Sequence, residues 1–156
     1  HQEVHEFGLN YRLPDLLWAL GVSQPRRPDE FKATRSRIFQ DYSKAFEGHG
    51  ELKVPRKKPY VDPNWHLFPL RVAPRKRFKI YEYLRENGIG VQVNYLPAFL
   101  HPVFSPMNYD RSLFPMSNNF YNSEISLPMH TGLTSNDLEM IIAKVIYAVE
   151  VSNSTK

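Results

Sequence analysis

The sequence predicts an α/β-class chain of the α+β kind, a small mixed sheet covered by helices on one face. Three observations predict it. Apolar residues recur at helical spacing after Asp29, after Pro74 and after Thr134. Short apolar-rich runs at 65–72, 89–95 and 125–127 are bounded by Pro or Gly, and 89–95 alternates. Helical and extended runs follow one another without an internal repeat, an order that two packed layers satisfy.

Taken in order, residues 1–12 mix polar and apolar types without a clear period. Pro14 suits the first turn of a helix near 14–24, with Leu16, Leu17, Trp18, Ala19 and Leu20 as its apolar run and Gly21 weakening it. Pro25 and Pro28 predict a bend. From Asp29, the residues Phe31, Thr34, Ile38, Tyr42, Ala45 and Phe46 share one helix face. Asp29 and Glu30 suit the helix start, and Gly48 and Gly50 end it. Pro55, Pro59 and Pro63 keep 51–63 a loop, with room for a short edge strand at 51–54. Residues 65–72 read as a strand, and Pro69 puts it at an edge or a bulge. Pro74 to Asn87 reads as a helix with Phe78, Tyr81 and Leu84 on its apolar stripe. In the strand 89–95, Ile89, Val91, Val93 and Tyr95 point one way, Gln92 and Asn94 the other. The irregular 97–116 is long enough to be functional or packed over something. Ser117 is expected to cap a short helix to Ser123, and Ile125 to Leu127 form a strand. Thr134 or Ser135 caps a last helix with Leu138, Ile141, Ile142, Val145 and Val149 on one face.

At 156 residues the chain suits one domain with a real core, or one domain and a piece of another. Its 42% hydrophobic and 13% aromatic content excludes wholesale disorder. The absence of Cys excludes disulfides, thiolate metal sites and cysteine nucleophiles, and suits a reducing compartment. No run approaches the roughly 18 apolar residues of a membrane span, and no export leader is visible. The net charge of +4 permits acidic partners. Basic residues bunch at 26–37, 53–58 and 71–79, but acids or helix surfaces interrupt each bunch, so they read as solvated faces rather than a nucleic-acid groove.

Chemistry-bearing motifs are sparse. There is no glycine-rich phosphate loop and no zinc signature, and the six His residues have no metal-site spacing. Local pattern alone therefore describes no self-sufficient enzyme. Two stretches stand out. Gly8-Leu9-Asn10-Tyr11-Arg12 sets an amide donor, a phenol and a guanidinium just before a helix, a set able to bind phosphate or carboxylate. It also reads as a polar turn and cap. Val93 to Pro102 delivers Asn94, Tyr95 and His101 from a strand end into a proline-stiffened exit. It also reads as a core tyrosine and a surface histidine.

These two stretches belong to a longer ordered set. Gly8 to Asp15 is followed by Ala19 to Gln24, by Asp29-Glu30-Phe31 with Arg35 through Tyr42, and by Trp65 to Leu70. Gly88 to Pro97 with His101-Pro102, then Phe114-Pro115, then Ser126 to Leu133 complete it. The collinear set resembles the sugar-nucleotide aminotransferases of the DegT/DnrJ/EryC1/StrS family, pyridoxal 5'-phosphate (PLP) enzymes with the aspartate-aminotransferase fold. Within that family it is similar to the branch that aminates C4 of a UDP-linked 4-keto-6-deoxy sugar in pseudaminic-acid biosynthesis.

The resemblance implies the C-terminal domain of a fold-type I PLP aminotransferase. Residues 1–28 would be the tail of the large PLP domain and the connecting helix, and 29–156 the small domain. The family's Schiff-base lysine precedes the Asn-Tyr-Arg motif. Here all nine lysines, from Lys32 to Lys156, follow it, and the chain opens at His1 rather than Met. The expectation is a truncated or processed enzyme whose fragment is inactive alone. Asn10 would reach the cofactor phosphate across a homodimer interface, with Arg12 beside it. Tyr11, Asn94, Tyr95 and His101 would line the nucleotide-sugar site. Asn94 stands where the family usually has His, which keeps a hydrogen bond but not imidazole proton transfer. Pro25 and Pro28 replace Leu-like positions and would bend the connecting helix differently. No residue takes a catalytic or metal role. The implied partners are a nucleotide sugar, Glu or Gln as amino donor, and a second copy in a homodimer. No nucleic acid and no membrane is implied, and the location is cytoplasmic. Leu16, Leu17, Trp18 and Leu20 would pack on the large domain or the dimer partner, leaving an apolar patch on the chain alone. The alternative is a non-catalytic binding and dimerisation module derived from this family.

Overall fold

A computed structural model describes residues 3–9, Pro14, Leu17, Ala19, Gly21 and 27–154. Leu17, Ala19 and Gly21 are helical, and Leu17 is 43% exposed. Leu16, Trp18 and Leu20 lie outside the described residues, as does Pro25.

Helix α1 runs Pro28–Phe46. Pro28 opens it at the first helical position instead of breaking it, because the missing N–H has no intrahelical partner there. Asp29 and Glu30 occupy the first turn, and Gly48, at φ +88°, follows its end in the left-handed region that suits glycine. Of the expected face only Ile38, Tyr42 and Phe46, in its C-terminal half, are buried, and Phe39 joins them. The Phe39 ring stacks on Trp65 with centroids 3.4 Å apart. Tyr42 donates to the Pro128 carbonyl at 3.1 Å, and burial pushes its phenol well above the usual range.

Strand β1, Phe68–Arg71, pairs antiparallel with β2, Glu124–Leu127. Phe68 faces Leu127 and Leu70 faces Ile125 across the ladder. Single bridges extend the pair on both sides, Lys53 to Arg71 and Gln92 to Ser126. Arg71 exchanges both backbone bonds with Lys53, at 2.9 and 3.1 Å, so its N–H and C=O face away from β2. Pro69 has the same parity, so its missing donor faces the outer edge and no bond to β2 is lost.

Helix α2, Pro74–Glu86, and helix α4, Ser135–Ser154, pack on each other, and α4 also packs on α1. Phe68, Leu70, Ile125, Ile80, Leu84 and Val145 fill the core between sheet and helices. The α2 stripe differs from the expected one. It is Lys76, Ile80 and Leu84, while Phe78 is 63% exposed. Lys76 sits inside because its ammonium reaches Glu51 at 2.7 Å and the Asn153 side-chain oxygen, joining the 51-loop, α2 and α4. Asn153 also donates to Glu51 at 2.8 Å.

Helix α3, Pro115–Ser123, starts at Pro115 after Phe114, without a side-chain cap. Ser117 lies within its first turn and does not cap it. Thr134 does cap α4: its Oγ1 accepts the Asp137 N–H at 3.2 Å, and Asp137 accepts the Thr134 N–H at 2.9 Å.

The sheet is antiparallel, not mixed, and the expected strand 89–95 is reduced to one bridge at Gln92. The reason is where its N–H groups go. Ile89 donates to Leu84 at 2.9 Å, Val91 to Ile89 at 2.8 Å, and Asn94 to the Glu124 carboxylate at 2.8 Å. The domain is therefore mostly helical around a two-stranded sheet.

Candidate functional site

The segment after α2 carries the second sequence motif. Gly88, at φ +78°, turns the chain out of α2. Ile89 and Val91 bury their side chains in the core. Gln92 then locks onto Ser126 through two backbone bonds, at 2.8 and 3.2 Å. Beyond it the chain leaves the sheet, and Tyr95 is 66% exposed. Short 3-10 turns at Ala98–Leu100, Pro102–Met107 and Arg111–Leu113 organise the following loop. Phe99 stacks on Phe114 at 4.7 Å, with Tyr109 edge-on to Phe114 at 6.4 Å.

A cleft of about 520 Å³ opens beside this segment. Arg35, His66, Gln92, Asn94, His130 and Asp137 supply its polar lining. Ile89, Leu127, Leu133 and Met140 supply apolar walls. The Arg35 Nε is buried with no hydrogen-bond partner. Asp137 is held below the usual carboxylate range, first by the Thr134 hydroxyl and amide and then by nearby His130. The cleft is suited to a polar organic ligand with acceptor oxygens and an apolar face.

The sequence-derived site residues separate here. Asn94 lines the cleft, while Tyr95 and His101 do not. His101 is engaged by the chain itself: its Nδ1 accepts the Val4 N–H at 3.1 Å. Val103 donates to the Val4 carbonyl at 2.9 Å, and Phe7 meets Phe104 edge-on with centroids 5.6 Å apart. Residues 3–9 are thus docked on the His101 turn. Asn10, Tyr11 and Arg12 lie outside the described residues.

Glu124 is the residue that sequence reasoning missed. It is fully buried, and its Oε2 accepts the Asn94 N–H while its Oε1 accepts the Ser126 hydroxyl. Burial raises its carboxyl above the usual range, and the bonds from Ser126 and Asn94 and the charge of Arg77 oppose that rise. The available signal was the one charged residue at the start of a buried strand, two positions before Ser126. Arg35, His66 and His130 were also unassigned, because no local spacing links them.

A family model, the DegT/DnrJ/EryC1/StrS aminotransferase family, matches residues 1–146. The chain belongs to this family. The UDP-4-amino-4,6-dideoxy-N-acetyl-beta-L-altrosamine transaminase of Campylobacter jejuni is 31% identical over 142 residues, 89% of this chain and 38% of that protein. The PseC aminotransferase of Helicobacter pylori, involved in the biosynthesis of pseudoaminic acid, aligns with a TM-score of 0.83 at 25% identity, over 96% of this chain and 41% of that one. A Streptococcus pneumoniae structure assigned as a sugar aminotransferase, in its PLP form, gives 0.82 at 27% identity, over 88% and 36%. The chain spans 38% to 40% of the length of such curated relatives.

The family is PLP-dependent. Among the described residues no lysine lines the cleft. Lys32 pairs with Asp62, Lys76 with Glu51, and Lys144 donates to Asn87 at 2.8 Å. Among them, no helix is long and apolar enough to cross a membrane, and no metal-ligating cluster is present.

Proposed function

We propose that the chain is the C-terminal part of a PLP-dependent aminotransferase. The whole protein moves an amino group from glutamate or glutamine to a nucleotide-linked keto-deoxy sugar, a UDP-4-keto-6-deoxy-N-acetylhexosamine. The observation that carries this reading is the family match over residues 1–146. Residues 1–28 form the tail of the large domain and the connecting helix, and 29–156 the small domain. Two copies share sites across a homodimer interface.

PLP, when bound, supplies the electron sink of the reaction. This chain's part is binding and orientation. The Asn10 amide donates to the cofactor phosphate without adding a full charge, and Arg12 adds a charge-assisted donor beside it. Tyr11, Asn94 and Tyr95 contact the nucleotide sugar, Asn94 through an amide that hydrogen-bonds sugar hydroxyls but carries no proton. His101 borders the same site while its Nδ1 holds Val4.

The test is expression of the whole reading frame that contains this chain. It is expected to encode a lysine-bearing PLP domain and to aminate a UDP-linked 4-keto sugar with glutamate as donor. The second reading is a non-catalytic binding and dimerisation module derived from this family. A frame without that domain, or a whole protein that aminates no nucleotide sugar, would establish the second reading against the first.

A further inference from the structure

The register of the sheet singles out Glu124. Gln92 pairs with Ser126, so in a continued antiparallel ladder Asn94 would stand opposite Glu124. The rung between those two residues is made differently. The Asn94 N–H is taken by the Glu124 side-chain carboxylate at 2.8 Å. We propose that Glu124 is the positioning residue of the ligand-facing segment, its buried carboxylate replacing a backbone rung so that 93–95 lifts off the sheet while staying fixed to it.

Three features support this assignment. A buried carboxylate is costly unless its oxygens are bonded, and here each oxygen has a separate partner: Oε2 takes Asn94 and Oε1 takes the Ser126 hydroxyl. The same Ser126 holds Gln92 through its backbone, so residues 92 and 94 are gripped by one two-residue patch of β2. The consequence is visible at the surface, where Asn94 lines the cleft and Tyr95 is exposed although β2 itself is wholly buried. An ordinary rung would hold 93–95 flat against the sheet edge. The longer side-chain link spaces the segment outward while a charge-assisted bond keeps it in register. That Asn94 and Tyr95 contact a nucleotide sugar rests on the function proposed above; the positioning role does not.

The test uses the whole protein that contains this chain and its Glu124→Gln and Glu124→Leu variants. Amide hydrogen exchange is read at Asn94, with Ile38 and Val145 as core controls. Gln keeps an oxygen that accepts from Asn94 and an N–H that bonds Ser126, so Asn94 stays protected. Leu removes the acceptor, and Asn94 exchange rises about tenfold or more while the core controls do not change. Unchanged Asn94 exchange in Glu124→Leu overturns the proposal. So does equal acceleration at all three positions, which marks a general stability role. If the Leu variant does not fold, loss of Asn94 protection in Glu124→Gln overturns it alone. UDP-N-acetylglucosamine is titrated in parallel as the ligand probe. Binding that weakens about tenfold in the Leu variant but not in the Gln variant supports both readings. A wild-type whole protein that binds no probe counts against the nucleotide-sugar reading, while exchange at Asn94 still decides the role of Glu124.

Discussion

Helix α4 and the 88–95 stretch both look regular in sequence, but only one has a backbone that follows its side-chain pattern. In α4 the capping pair Thr134 and Asp137, the apolar spacing and the burial of Leu138, Ile141 and Val145 all agree. In 88–95 the alternation places Ile89 and Val91 correctly in the core, yet the N–H groups go to the end of α2, to a local turn and to a buried carboxylate. Periodicity reports which side chains are buried. It does not report which acceptor takes each N–H. Where the two disagree, the chain leaves the sheet and exposes chemistry-bearing residues, the expected mark of a site rather than of scaffold.

That contrast can be broken from the α4 side first. Leu138→Ala should cost about 2–5 kcal/mol in denaturant unfolding, as truncation of a close-packed core residue does. Thr134→Ala should cost about 1 kcal/mol by removing the cap. The same cap has a pH signature. The folded pKa of Asp137 lies below its unfolded value. Its contribution is therefore present above the unfolded carboxylate pKa and lost as pH falls through the folded one. Asp137→Asn should flatten the acid side of a Tm-against-pH curve.

Glu124 has the opposite sign. Its folded pKa is raised, so its contribution is present at acid pH and lost as pH rises through the folded value. Glu124→Gln should raise Tm at neutral pH, and the gain should shrink in acid. The smallest effects fall on exposed rings. Phe78→Ala and Tyr95→Ala should each change unfolding free energy by no more than about 0.5 kcal/mol. A core-sized loss at Phe78 would restore the stripe that the sequence suggested.

The helices were legible because spacing, Pro at first positions and terminal Gly agreed. Phe78 misled because a lysine holds the core-facing position of its turn, and only contacts from Glu51 and Asn153, remote in sequence, make that burial tolerable. Ser117 misled because Pro115 had already started the helix. Residues 3–9 show no period because their order comes from a turn 97 residues away, through Val4 and His101. The family-like motifs were legible as an ordered set. The cleft was not, since Arg35, His66, Asn94 and His130 come from four separate parts of the chain.

The half-buried Asn94 and the exposed Tyr95 are proposed to contact the nucleotide sugar while contributing little to stability. Steady-state kinetics of the whole protein carrying Asn94→Ala or Tyr95→Ala test this most directly. The expected result is a KM for the nucleotide sugar raised about tenfold or more with an unchanged Tm, as when a ligand-facing polar group is removed. An unchanged KM in both variants would contradict it.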